Sequence, residues 1–467
     1  MTPVPADPLA RLRLAGFGGA LALAAGATVA GVFPRPDPAR SWPVLGALRS
    51  HPWPGVVLAA VGMLVLVVAW WRAGRSRPPV RWSVRTTALW ALPLLCAPPL
   101  FSRDVYAYAA QGDVFAHGLD PYTAGPAALP SAWLGSISPT WGDSPAPYGP
   151  LFLMLARAAV GLSGGHLVVT VLLLRLVALA GVLLVAVYLP RLARGCGADE
   201  RTATWLGLGS PLLLAHLVSG AHNDALMVGL LVAALAYAVE RHGVAAAALV
   251  ALAAAVKAPA ALALPFVAVL AFPRVWRGLA AGGAVAAAVF AAVTAASGLG
   301  LGWVQALRTP GDSVQWTSLP TGLGLAAGWV LGSREPALTV ARTVGTLVAL
   351  AVAVALWWRV RNRGDEPGAV VAALGWSLGA VVLLAPAFHP WYALWALVPL
   401  AAATVDDRVR TRLAVAATAL CFLVLPDGYN LARATVLPGI LLDVAVVAAV
   451  VVLAVVVAAR RRARVSA

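Results

Sequence analysis

Three short clusters of the chain hold most of the side chains that could do chemistry. The first begins at Asp104, which follows directly on an apolar run and opens a helix that Ser102 can cap and Gly118 can stop. In that helix Asp104, Tyr108 and Gln111 fall at i, i+4 and i+7 and share one face. A carboxylate there could act as a general base, with the aromatic face receiving a sugar ring. It could also do no more than stabilise the positive end of the helix dipole.

The second cluster is His222-Asn223-Asp224, at the start of an apolar helix. Asp224 could again be an N-terminal cap, yet three polar groups in a row at a membrane boundary are costly to insert and are retained for function. Lys257 is the only lysine in the chain and falls where two apolar runs meet, just before Pro259. It suits either a snorkelling anchor or a point charge for phosphate. The third cluster is Phe388-His389-Pro390-Trp391-Tyr392. Its aromatic residues alone would fit any interfacial belt, but His389 between them is less ordinary. Arg308, beside Trp303 and Trp316, adds a further cation.

Other patterns carry little. Gly375-Trp376-Ser377-Leu378-Gly379 has the serine-hydrolase spacing but lies inside an apolar helix, where small residues four apart serve close packing. Gly322-Leu323-Gly324 lacks a surrounding strand and a third glycine in place. Cys96, Cys196 and Cys421 show no paired spacing, and no histidine or aspartate pattern suggests a tightly held metal. No resident cofactor is expected, with a weak divalent-ion requirement left open.

The elements that must position these clusters are membrane helices. Of 467 residues 61% are hydrophobic and 11% charged, with mean hydropathy +0.86. An ordinary soluble domain has roughly 25% charged residues, so the solvent for this chain is lipid. An all-α polytopic fold of about fourteen spans is expected, at 14–33, 54–71, 86–101, 165–190, 202–219, 225–239, 243–256, 259–272, 278–297, 337–358, 368–385, 391–404, 411–425 and 436–459. Arg11 and Arg13 before the first run imitate a signal peptide, but a retained helix is expected. Residues 148–164 and 318–332 are apolar but do not fit the alternation of sides, and read as interfacial helices.

Arginines gather in alternate loops: Arg72 to Arg85, Arg191 to Arg201, Arg359 to Arg363, Arg408 to Arg412 and Arg460 to Arg464. That asymmetry places both termini in the cytoplasm and the three polar clusters outside. Net charge +16 divided between loops in this way reports topology and contact with membrane lipid, not a nucleic acid. On the outer side the loop Ser102 to Tyr148 is long and rich in Tyr and Trp, so it should be folded rather than disordered. The chain divides into an N-terminal hairpin and cytoplasmic loop, 1–85, and a catalytic membrane domain, 86–467, that carries the 102–148 loop.

The strings FSRDVYAY from Phe101, GLDPY from Gly118, SPAPYGPLF from Ser144, HNDALMVGLL from His222 and FHPWY from Phe388 resemble the GT-C membrane glycosyltransferases. They are most similar to the polyprenyl-phosphomannose-dependent α-1,6-mannosyltransferases of lipomannan and lipoarabinomannan synthesis. The hairpin 14–71 is extra relative to the minimal fold of that family. The resemblance implies a plasma-membrane enzyme with Asp104 as catalytic base and Asp224 as a second acidic site. It implies polyprenyl-phosphate-mannose as donor and a lipid-linked mannan as acceptor. Lys257, Arg308 and His222 would then steady the donor phosphate, while Asp224, Tyr108, Gln111, Tyr148, His389 and Trp391 would bind sugar. Arg103 and the helix end would both hold Asp104 ionised. Another lipid-linked sugar, such as arabinose, would fit the same residues. A lipid-sugar flippase or transporter would place polar groups near the midplane and often show inverted repeats, neither of which the sequence displays.

Overall fold

The computed structural model describes residues 7–428 and 431–465. Regular structure among these residues is helical, without a β-strand. Among the described residues seven helices are long and apolar enough to cross a membrane: Pro8–Ala30, Trp53–Arg75, Leu167–Gly195, Val275–Ser297, Arg334–Val360, Pro367–Leu384 and Val436–Leu453. The other expected runs are occupied by shorter or broken helices. Residues 202–219 become Glu200–Gly207, a break at Ser210 and Pro211, and a π-helical turn Leu214–Ser219. Around Lys257, Pro259 makes the chain resume as a 3₁₀ turn, Ala258–Ala263, before Leu264–Ala271. Residues 148–164 and 318–332 contain Pro150–Leu162 and Leu319–Leu331, each 13 residues and therefore only about 20 Å long.

Lipid offers no hydrophobic drive between helices, so close approach has to come from small residues. Pro8–Ala30 packs on Trp53–Arg75 that way: a Cβ at Gly19 would stand 2.8 Å from the Gly62 carbonyl oxygen, and one at Gly62 2.7 Å from that of Gly19. Leu167–Gly195 and Asp224–Val239 meet at Gly181 and Gly229, where a Cβ on Gly229 would lie 2.4 Å from the Gly181 carbonyl. That contact fixes the depth of His222-Asn223-Asp224. The opposite face of Leu167–Gly195 shows Leu172, Leu176, Leu183 and Val187, each about half exposed or more, as a lipid-facing stripe requires.

The N-terminal hairpin reaches the 102–148 loop directly. The Val32 amide donates to the Pro99 carbonyl at 2.8 Å, the Tyr106 hydroxyl donates to the Val32 carbonyl at 2.9 Å, and the Arg35 amide donates to Ser136 Oγ at 2.9 Å. Gly149 then joins the end of the loop to the Lys257 turn, its amide donating to the Val256 carbonyl at 3.0 Å. The polar clusters are thereby held at one end of the helices.

Candidate active site

Asp104 is the first residue of the helix Asp104–Ala116. Arg103 occupies the cap position by backbone, but Ser102 Oγ still accepts from the Asp104 amide at 3.0 Å. The helix stops as expected, with Gly118 in the left-handed region at φ 81°. It is buried along most of its length against Pro150–Leu162, where Gly112 leaves no room for a Cβ beside Ala156. Tyr108 stands edge-on to Tyr148 and Phe152 at 5.1 and 5.0 Å.

The Asp104 carboxyl lies 3.5 Å from His222 Nδ1, and the Tyr108 hydroxyl lies 3.4 Å from the same nitrogen. Both distances are long for a formed hydrogen bond, as catalytic contacts often are without substrate. His222 is fully buried and stacks on Trp391 at 3.9 Å, and His389 stacks on the same indole at 4.6 Å. Burial, then His216, then Lys257 push the His222 imidazole well below its ordinary range, so it is neutral. Burial and Lys257 likewise bring His389 down to about 3.

Asp104 moves the other way. Loss of water raises its carboxyl to about 6, against the opposing pull of Lys257 and of the Ser102 hydrogen bond. The expectation that Arg103 holds Asp104 ionised is overturned, because that guanidinium turns to Asp427 at 2.6 Å and to the Ser136 carbonyl at 3.0 Å. A carboxyl near 6 is a stronger base than an ordinary aspartate and is still largely ionised at neutral pH.

Asp224 is no helix cap and no open sugar ligand. Its side chain is completely buried and takes the Lys257 ammonium on both oxygens, at 2.9 and 3.0 Å, and the Trp395 indole N–H at 2.6 Å. Lys257 is therefore neither snorkelling nor free: it is paired, and it lies over the Tyr392 ring at 4.4 Å. Removing two charges from water is tolerable only with such complete pairing.

Asp104, His389 and Trp391 line one polar cavity of about 460 Å³, within the range of small-ligand sites. Tyr148 lines a different, smaller and apolar cavity of about 170 Å³. Gln111 is buried and its Oε1 has no hydrogen-bond partner among the described residues. Arg308 is exposed and lines neither cavity. His222 Nε2, His216 Nδ1, Ser219 Oγ and both amide atoms of Asn223 are buried without a hydrogen-bond partner among the described residues. A polar ligand or ordered water satisfies groups of this kind. Among the described residues no set of three or more His, Cys, Asp or Glu side chains is arranged to hold a metal.

The cavity also contains residues that sequence reasoning passed over: Arg35, Arg433, Asp312, Asp427 and Trp141. They arrive from the segment after the first helix, from the 102–148 loop and from the C-terminal third, and no local periodicity links them.

Residues 13–273 match the family described as α-(1→6)-mannopyranosyltransferase, N-terminal domain, and residues 317–458 match the MptB C-terminal domain. α-(1→6)-Mannopyranosyltransferase A of Mycobacterium tuberculosis is 36% identical over 439 residues, covering 88% of this chain and 84% of the relative. A second α-(1→6)-mannopyranosyltransferase of that organism is 34% identical, covering 86% of this chain and 80% of the relative. α-(1→6)-Mannopyranosyltransferase B of Corynebacterium glutamicum is 32% identical over 91% of this chain and 78% of its own length. No solved structure matches the chain. With an apolar scaffold that is helical among the described residues and a carboxyl opening on a polar cavity, the chain is a glycosyltransferase and belongs to the α-(1→6)-mannopyranosyltransferase family.

Proposed function

We propose that the enzyme transfers mannose from polyprenyl-phosphate-mannose to the 6-hydroxyl of a lipid-linked mannan, making α-1,6 linkages of lipomannan and lipoarabinomannan. The observation that carries this reading is the Asp104 carboxyl, raised to about 6 and facing a polar cavity at one end of an otherwise apolar helical scaffold. Asp104 accepts the proton of the acceptor hydroxyl while that oxygen bonds to the anomeric carbon. The carbon's bond to the phosphate oxygen breaks, and its electron pair leaves with polyprenyl phosphate. One displacement inverts the centre, so a β-linked donor gives an α-mannoside.

Trp391 and His389 form an acceptor wall in this reading, with Tyr108 and Tyr148 behind it. His222 fixes the Asp104 carboxyl through Nδ1, and the Asp224–Lys257 pair tunes it from beneath. The scaffold is read as a GT-C fold of about fourteen spans in the plasma membrane, with both termini cytoplasmic and the cavity outside. The short helices then cross together with their neighbours rather than alone. Purified protein given polyprenyl-phosphate-[¹⁴C]mannose and a short α-1,6-mannoside should form an acid-stable, α-1,6-extended product. Transfer from a lipid-linked arabinose in preference to mannose would refute the donor assignment.

A further inference from the structure

A departing phosphate needs fixed cations, and the side chains first considered for that role do not supply them inside the cavity. Lys257 is bonded to both oxygens of Asp224, His222 is neutral, and Arg308 lies outside the lining. Three other guanidiniums do line it: Arg35, Arg103 and Arg433. Arg103 is committed to Asp427 and to the Ser136 carbonyl. The remaining acid on that wall, Asp312, accepts from Ser144 Oγ at 2.7 Å. Arg35 and Arg433 are exposed, and neither side chain has an ion pair or hydrogen bond to a described residue.

Two guanidiniums without a side-chain partner among the described residues thus open on the same cavity as a carboxyl suited to proton abstraction. Each fork can offer parallel N–H bonds to a pair of phosphate oxygens, which a lysine cannot do. They come from opposite ends of the sequence, one after the first helix and one before the last. Building on the transfer reaction above, we propose that Arg35 and Arg433 clasp the phosphate of the lipid-linked donor and hold the polyprenyl phosphate as it leaves. During departure that phosphate goes from one negative charge toward two, so contacts with it strengthen in the transition state. The N-terminal hairpin then has a defined role: it carries one half of the clasp.

The test uses the full chain purified as wild type, Arg35→Gln, Arg433→Gln, the double variant and Arg308→Gln. Donor KM and product inhibition by polyprenyl phosphate should each weaken about tenfold or more in either cavity variant, the size expected for a charged hydrogen bond. Acceptor KM should stay unchanged, and Arg→Lys should restore only part of the loss. Arg308→Gln should match wild type. Unaltered donor KM and inhibition in both Arg35→Gln and Arg433→Gln would overturn the clasp, as would a loss confined to Arg308→Gln.

Binding of polyprenyl phosphate, followed by thermal shift, reads the clasp without turnover. A wild type that binds it through Arg35 and Arg433 yet transfers no mannose fails the reaction and keeps the clasp. An active wild type whose variants bind it equally keeps the reaction and loses the clasp. Equal stabilisation by inorganic phosphate or by phosphatidylglycerol vesicles would show a general anion patch and overturn the donor assignment.

Discussion

Asp104 and Asp224 are the same residue at the same place in their helices, each the first residue of its helix, and their fates are opposite. Asp224 is sealed, with an ammonium on both oxygens and an indole N–H beside it. Asp104 is about a fifth exposed, faces the cavity and has no cation in contact, with long contacts to a neutral imidazole and a hydrogen bond from Ser102. Position in a helix therefore says little about what a carboxylate does. What separates the two is whether a cation is buried with it. A carboxylate that has one has both oxygens taken up by the pair, whereas one without is left with a raised affinity for a proton.

Exchanging the chemistry of the two positions tests that contrast, and the largest effect is expected at Asp104. Asp104→Asn should keep the fold and lower transfer by about 10²–10⁴-fold, the range for loss of a general base. Near-normal turnover of the purified variant would remove the contrast altogether. Lys257→Met should do the reverse, unfolding before it slows, because it strands the Asp224 charge; about 3–5 kcal/mol is the usual cost of breaking a buried pair. Denaturation in detergent should show most of that loss recovered in Lys257→Met/Asp224→Asn.

A smaller effect concerns pH. Asp104 binds its proton more tightly when folded, near 6, than when unfolded, near 3.8. Its contribution to stability is therefore complete below pH 3.8 and is lost as pH rises through 6, by on the order of 1–3 kcal/mol. Asp104→Asn should accordingly melt higher than wild type at pH 7.5 and no higher at pH 4. Over the same window wild-type kcat/KM should fall about tenfold per unit below pH 6. The smallest change is expected from His222→Phe, which keeps the stack on Trp391 and removes Nδ1. Turnover should drop by roughly tenfold, the worth of one orienting hydrogen bond, with donor KM unmoved. A parallel rise in donor KM would return His222 to the phosphate.

Much of this was legible in the sequence because apolar runs and glycine stops act locally. The Asp104 helix, its end at Gly118 and the apolar segments fall close to where periodicity puts them. Runs that depended on length alone fared worse: 202–219 reads as one span, but Ser210-Pro211 breaks it. At the site, Asp104, His222, His389 and Trp391 do come together. The pairing of Lys257 with Asp224 was not visible, since no spacing rule joins residues 33 positions apart across two helices. Arg103 illustrates the same limit. Its neighbour in sequence is Asp104, but its partner is Asp427, and only folding decides between them.

The π-helical turn Leu214–Ser219 ends just before Ala221, which adopts φ 52°, and the next residue is His222. Such turns hold one residue more than an α-helix would need over the same rise, and they occur often at functional sites. Chain length therefore matters at this point in a way that it does not in a surface loop. Deleting a single residue from 214–219 would let the turn relax to α-helical winding and rotate the segment by about a quarter turn. The Gly181–Gly229 contact would still pin the following helix. The frame between those two anchors therefore sets whether the imidazole meets Asp104. A one-residue deletion here would yield an inserted, folded protein whose base has lost its guide.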